Sequence, residues 1–472
     1  MSTPSLLQSE HDEHRNPMSG PAEAVALYDR AIDRMLRYHP EVVDLATTLA
    51  EEHADVPMTG ALLAYLHLTS TDEPDVAVAA GALEGMAAIP MNEREQAHHE
   101  AIAAWVGGDW IGASRILDQL LVRWPTDLLA LQVGHLLDFS VGDAANLRDR
   151  PGRSLLALDP DHPHTAVVRG MHAFGLEESG SYAEAEEAGL AAVAVNRDDV
   201  WAIHAVVHTH EMRGRVADGI RFLRASEADW GSGNLFTVHN WWHLALFHLE
   251  GGDIDDVLRI YDAEVHHAAS QGVPLEMLDA SALLWRLRLD GVSDGGRFAP
   301  LADAWATRTD GRPWYVFNDL HAVMALVGAG RIADAEGVVE RLAGYVHCGG
   351  SGTNVAMTAE IGLPASRAII RFAQERYADV IDELLPIRRV LQRFGGSHAQ
   401  RDVLQRTLLE AALRAGQHDL ARALLSERLA VRETSVYGWT QQARLYEALG
   451  RPADAAAAAE GAAASRALAR VS

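Results

Sequence analysis

Two stretches of this 472-residue chain carry imidazoles at helical spacing. His204, His208 and Glu211 stand at i, i+4 and i+7, which puts them on one face of a helix, with His210 beside them. His239-Asn-Trp-Trp-His243 repeats the i, i+4 pair one segment later. Imidazole titrates near neutrality, with an ordinary pKa of about 6.5, so histidine pairs beside carboxylates suit general acid and base work. On that reading His208 or His243 is the base, Asp319 or Glu211 orients it, and Trp242 is the wall that excludes water. His172, His204, His210, His239, Asn318 and His321 would line the same surface as ligand-binding groups.

A second polar group opens a late helix, Ser397-His398-Ala-Gln400-Arg401-Asp402, after Gly395 and Gly396. Backbone amides at a helix start favour an anion, and Arg401 adds a fork of donors for a carboxylate or phosphate. The i, i+4 spacing of His204 and His208 is compatible with zinc, and Asp319 or His243 could complete three ligands. The His-Glu-x-x-His pattern of zinc peptidases is absent, so the sequence calls for no metal and no cofactor.

Each of these features has a plainer counterpart. Among 23 histidines some i, i+4 pairs arise by chance, and a helical histidine is more often a satisfied polar residue than a ligand. Trp241 and Trp242 fit a core equally well, Glu211 fits a cap, and the Gly-Gly-Ser stretches at 349 and 395 fit turns.

The elements that must position these side chains form a repeat. A helix ends, a Gly-containing turn follows and a second helix opens with small residues, as at Glu178-Ser-Gly-Ser-Tyr-Ala-Glu-Ala and Ala329-Gly-Arg-Ile-Ala-Asp-Ala. Gly108 to Gly142, Gly180 to Gly214 and Gly416 to Gly450 are each 34 residues apart, and Gly252 to Gly291 and Gly291 to Gly330 are 39. A step of 34 is that of tetratricopeptide hairpins, whose apolar faces are buried only by stacking on the next hairpin. The spacing predicts an all-α solenoid coiled into a right-handed superhelix, with first helices lining its concave side. Between Gly330 and Gly416 the pairs read as longer, with an inserted loop over 347–354. Residues 1–20 read as a disordered tail, 21–450 as one domain, and 451–472 as an Ala-rich capping helix.

Composition narrows the function. The 66 acidic against 40 basic residues give a formal charge of −26, which repels a phosphate backbone, so nucleic acid is not expected as a partner. Every basic residue is Arg, which removes lysine Schiff-base and phosphate-loop chemistry. The single cysteine, Cys348, allows no internal disulfide and no paired-cysteine zinc motif. No apolar run approaches the roughly 20 residues that span a bilayer, and no secretion signal is evident, so a cytoplasmic chain without a membrane partner is expected.

At His204-Ala-Val-Val-His-Thr-His-Glu-Met, His239-Asn-Trp-Trp-His, Phe317-Asn-Asp-Leu-His and Gly395-Gly-Ser-His-Ala-Gln-Arg-Asp-Val, the chain resembles the tetratricopeptide repeat protein 38 family. The likeness runs from about residue 95 to the end and includes Met171-His-Ala-Phe-Gly and Gly362-Leu-Pro. It implies an all-helical tetratricopeptide-like fold and a cytosolic protein, and it implies no reaction. The family's motif positions fall here on His172, His204, His208, His210, Glu211, His239, Trp242, His243, Asn318, Asp319, His321, Gln400, Arg401 and Asp402. Trp241 and His398 depart from it, where Tyr and Asn are familiar.

Two functions follow as expectations. One is a scaffold that binds a peptide segment or small ligand in a groove lined by His and Trp, with homo-oligomers possible. The other is an enzyme acting on a small anionic molecule, with His general acid and base residues and Arg401 as the anion anchor.

Overall fold

A computed structural model describes residues 9–348 and 350–470. Helices make up almost all of its regular structure, arranged as consecutive antiparallel pairs of tetratricopeptide type. Examples are Glu93–Val106 with Trp110–Arg123, Pro163–Glu178 with Tyr182–Val195, and Val316–Gly328 with Ile332–Cys348. In the central pairs the first helix is buried nearly all round, whereas the second buries one stripe; in Thr237–Gly251 twelve of fifteen residues are buried, and in Tyr182–Val195 three of fourteen.

The repeating glycines end the first helices for a stereochemical reason. Gly108, Gly142, Gly180, Gly214, Gly252, Gly291, Gly330, Gly416 and Gly450 all have φ between 65° and 89°, the left-handed region that glycine enters without a Cβ clash. At Gly330 the next amide, Arg331 N, reaches back to Leu326 O at 2.8 Å and closes the helix end. The apparent lengthening after Gly330 has a simple cause. The Leu363–Ala373 and Tyr377–Ile387 pair turns at Glu375, whose φ is 60°, and Arg376 N reaches Arg371 O at 2.9 Å in the same way. A turn of the array is present there, carried by a residue that does not announce it.

Contacts group the chain into two compact units rather than one body. The first comprises 1–205, 232–237 and 351–353, and the second 206–231, 238–350 and 354–472. No compositional break marks the division because both units are built from the same kind of hairpin. The inserted loop is short: the helix Ile332–Cys348 precedes it, the helix Thr353–Met357 follows, and Cys348 is exposed. The Ala-rich end is the helix Pro452–Arg470.

The tail reading needs correction from residue 9 onward; residues 1–8 lie outside the described residues. Ser9–His11 pairs antiparallel with Pro17–Ser19, and Met18 is fully buried. Order comes from polar partners that composition does not reveal. Asp12 accepts from Asn16 N at 2.8 Å, and Glu95 accepts from Ser19 N at 2.6 Å and from Ser19 Oγ at 2.9 Å. Among the described residues no helix is long and apolar enough to cross a membrane.

Candidate functional site

In the second unit, Glu211, His208, His239 and His243 come together with two residues that the sequence did not single out, Asp279 and Arg286. The helix Thr237–Gly251 supplies His239 and His243 one turn apart, and the helix Pro274–Leu289 supplies Asp279. His239 Nδ1 lies 2.6 Å from Asp279 Oδ2, and His243 Nδ1 lies 3.1 Å from Glu211 Oε2. Between the two rings, His239 Nε2 and His243 Nε2 are 3.2 Å apart. The result is a line from carboxylate through two imidazoles to carboxylate. The His208 ring stands edge-on to His243, with centroids 4.5 Å apart. Trp242 stacks on His239 at 5.2 Å and meets His243 edge-on at 4.8 Å.

Burial dominates the electrostatics. His208 and His243 are fully buried, and loss of hydration holds both well below the ordinary imidazole value. For His208 the charges of His243, His239, His398 and Arg401 push the same way; for His243 those of His239 and Arg286 do. The Glu211 carboxyl is raised by burial, against the pull of Arg432 and Arg286. Arg286 is 1% exposed and donates only to carbonyls, to Ala282 O at 3.0 Å and Ala399 O at 2.6 Å, and its guanidinium lies over Trp242 at 5.6 Å. Burial brings it down to about 10, so it remains charged at neutral pH.

One cavity adjoins this cluster and a larger cleft adjoins that cavity, all within the unit. A small one of ≈30 Å³, with room for water, is lined by Glu211, Arg286, Arg432 and Asp402 among others. A cleft of ≈380 Å³ shares Asp402 and Arg432 with it and adds His398, Arg401, Arg428, Arg388, Arg389 and Glu427. Five guanidiniums thus face two carboxylates in that cleft. Asp402 engages Arg428 at 2.6 and 3.2 Å, with Arg432 at 3.8 Å. Burial opposes ionisation of Asp402, but these guanidiniums outweigh it and hold the carboxyl far below the usual range.

The remaining predicted residues are placed differently. Gln400 and Ser397 form a capping box on the helix His398–Arg414, each side chain taking the other's backbone amide, which accounts for Gln400 as a structural residue. Arg401 donates to Gly396 O. His321 binds Phe317 O through Nδ1 at 2.7 Å, and burial brings it down to about 4, with the Arg286 charge acting in the same direction. Asp319, two residues earlier, points to the other side of its helix, toward the Arg341 charge, and burial pushes it up to about 7. It does not approach His208 or His243; Glu211 holds the orienting position. Asn318 is buried on the same helix. His210, two residues from His208, faces Phe222 instead, with ring centroids 6.0 Å apart. His204 and His172 belong to the first unit. There His204 packs among Phe174, Trp201 and Phe236, and His172 lies half-buried near Arg148 and Asp149.

Two groups of histidines bring ligand atoms close enough for a metal. In the second unit one ring nitrogen each from His208, His239 and His243 lie within 4.8 Å of one another. In the first unit Glu13, His14, His162 and His164 do the same, with Asp33 Oδ1 3.2 Å from His164 Nε2. Sequence reading missed that second group because Glu13 and His14 fell in the supposed tail. Asp279 and Arg286 did leave a signal, each being a lone charge inside an apolar first helix, Leu278-Asp-Ala-Ser-Ala-Leu-Leu-Trp-Arg-Leu.

No protein-family model matches the chain. Among solved structures it is similar to the human IFIT1 dimer with m7Gppp-AAAA, at TM-score 0.41 and 13% identity over 96% of this chain and 95% of that one. It is also similar to the APC/C hetero-tetramer Cut9-Hcn1, at 0.32 and 12% over 94% of each chain. For the P58(IPK) TPR domain the values are 0.21 and 12%, over 79% of this chain and 92% of that one. The m7Gppp-AAAA belongs to the IFIT1 structure, and likeness at these scores shows the fold alone.

Proposed function

We propose that the second unit binds a small anionic molecule, one bearing carboxylate or phosphate groups, in the arginine-lined cleft. One observation carries this reading: five guanidiniums against two carboxylates line a cleft of ≈380 Å³ in a chain whose formal charge is −26. Guanidinium forks match the planar acceptors of carboxylate and phosphate, and the volume is that of a small-molecule pocket. An extended peptide, the other occupant considered, has no comparable support. The imidazole line beside the cleft provides the means of acting on the bound molecule. Glu211 and Asp279 fix the orientation of two rings, and His208 lies within electrostatic reach of the cleft residues His398 and Arg401. Resemblance to the tetratricopeptide repeat protein 38 family belongs to this same reading.

Thermal shift of the full chain with a panel of phosphates and small carboxylates at constant ionic strength tests it. A rise in melting temperature with at least one such anion is expected. Arg388→Gln with Arg389→Gln should abolish most of that rise, because their shared partner Glu427 is 42% exposed and folding does not depend on the trio. An unchanged response in the double variant would overturn the assignment.

A further inference from the structure

The facing nitrogens of His239 and His243 pose a problem of proton accounting. With Asp279 at 2.6 Å and Glu211 at 3.1 Å both ionised, each accepts the Nδ1 proton of its ring. A neutral imidazole carries one proton. In that state the two Nε2 atoms turn lone pairs toward each other across 3.2 Å. A positive species, a proton or a metal ion, satisfies both lone pairs at that distance. Tetrahedral zinc, bonded to imidazole at about 2.0–2.1 Å, sets neighbouring ligand nitrogens about 3.3 Å apart, close to the separation found here.

We infer that His208, His239 and His243 hold a divalent transition-metal ion of the zinc class, with Glu211 and Asp279 as the outer carboxylates that orient two of the ligand rings. The third ring stands beside them, its ligand nitrogen within 4.8 Å of the other two, so a small movement brings it to the ion. A ligating histidine usually gives its other N–H to a carboxylate or carbonyl, which fixes its tautomer and raises its strength as a ligand; two of these three rings show that arrangement. Trp242, stacked on His239 and fully buried, supplies the apolar wall that keeps competing water away. Imidazole-only ligation selects zinc, cobalt, nickel or copper over magnesium or calcium, which prefer oxygen. The inference rests on the ring nitrogens and not on the arginine cleft, so failure of the anion reading leaves it standing.

The test uses the full-length chain without a histidine tag, stripped by chelator and then titrated with Co²⁺ and Zn²⁺ alone. Cobalt in a tetrahedral nitrogen site gives strong visible absorption, and elemental analysis after dialysis gives the stoichiometry. Wild type should show the cobalt bands, and zinc should quench them. His239→Gln should lose them with far-UV helicity retained. His162→Gln, which cripples the other histidine cluster, should keep them. Should His239→Gln fail to fold, Asp279→Asn decides instead: it leaves all three rings in place and should weaken binding about 10–100-fold. Absent bands in wild type, unchanged affinity in Asp279→Asn, or bands that vanish with His162→Gln but survive His239→Gln would each overturn the assignment.

Discussion

Both units bury guanidinium groups, and two of these, Arg94 and Arg286, are completed in opposite ways. In the first, Arg94 is 1% exposed and closed on all sides, with Nε 2.6 Å from Asp127, another nitrogen 3.1 Å from Asp12, and His98 Nε2 also on Asp127 at 3.0 Å. Arg150 is closed likewise by Asp138 at 2.7 and 2.9 Å and by Ser114 Oγ at 2.8 Å. In the second unit Arg286 is as deeply buried, but among the described residues it forms no ion pair and relies on two carbonyls. The nearby Glu211 is matched to an imidazole, with a water-sized cavity beside both. Bringing an ion into the interior costs several kcal/mol in either place. At Arg94 that cost is recovered by contact carboxylates, as it is for Arg406 of the second unit on Asp290 at 2.7 and 2.9 Å; at Arg286 it is left partly open.

The largest expected effect tests the closed side. Asp127→Ala takes from Arg94 the nearer of its two carboxylates and removes the cap on Ala130 N, so it should cost about 3–5 kcal/mol in chemical denaturation. A loss under about 1 kcal/mol would erase the contrast. Acid should reveal the same group. Burial would raise the Asp127 carboxyl, but Arg94 and His98 outweigh it and hold it well below its unfolded value. Its contribution is therefore present above about pH 4 and lost as pH falls further, on the order of 2–3 kcal/mol, and Asp127→Asn should flatten that slope in acid titration of stability.

The open side predicts less. Arg286→Met, similar in volume and free of charge, should change stability by only about 1 kcal/mol, because no contact carboxylate is left behind, while anion-induced thermal shifts should weaken. A loss as large as that of Asp127→Ala would place Arg286 among the fastening groups. The smallest change sharpens the comparison by moving stability alone. Glu375→Gly relieves a left-handed non-glycine residue far in sequence from the imidazoles and should raise stability by about 1 kcal/mol. Metal and anion binding should stay as in wild type; altered binding would show that site and stability cannot be read separately.

The fold was largely legible because a left-handed turn selects glycine, and its spacing can be counted. It failed at Glu375, where tertiary packing holds the same geometry without the marker, and at residues 9–20, where Glu95 and Asp12 supply order that composition conceals. The imidazole faces were legible from the i, i+4 rule, which also separates His210 from His208 and Asp319 from His321, since steps of two lie on opposite sides of a helix. Depth was not legible. Only packing of the Pro274–Leu289 helix against its neighbours turns Asp279 and Arg286 from odd charges in an apolar run into partners of the site.

The lone cysteine has a practical consequence. Cys348 is exposed and is the single thiol of the sequence, so a maleimide dye reacts at one address without any engineering. That address belongs to the unit that holds the imidazole line, which makes a single fluorophore a ready reporter of what that unit captures.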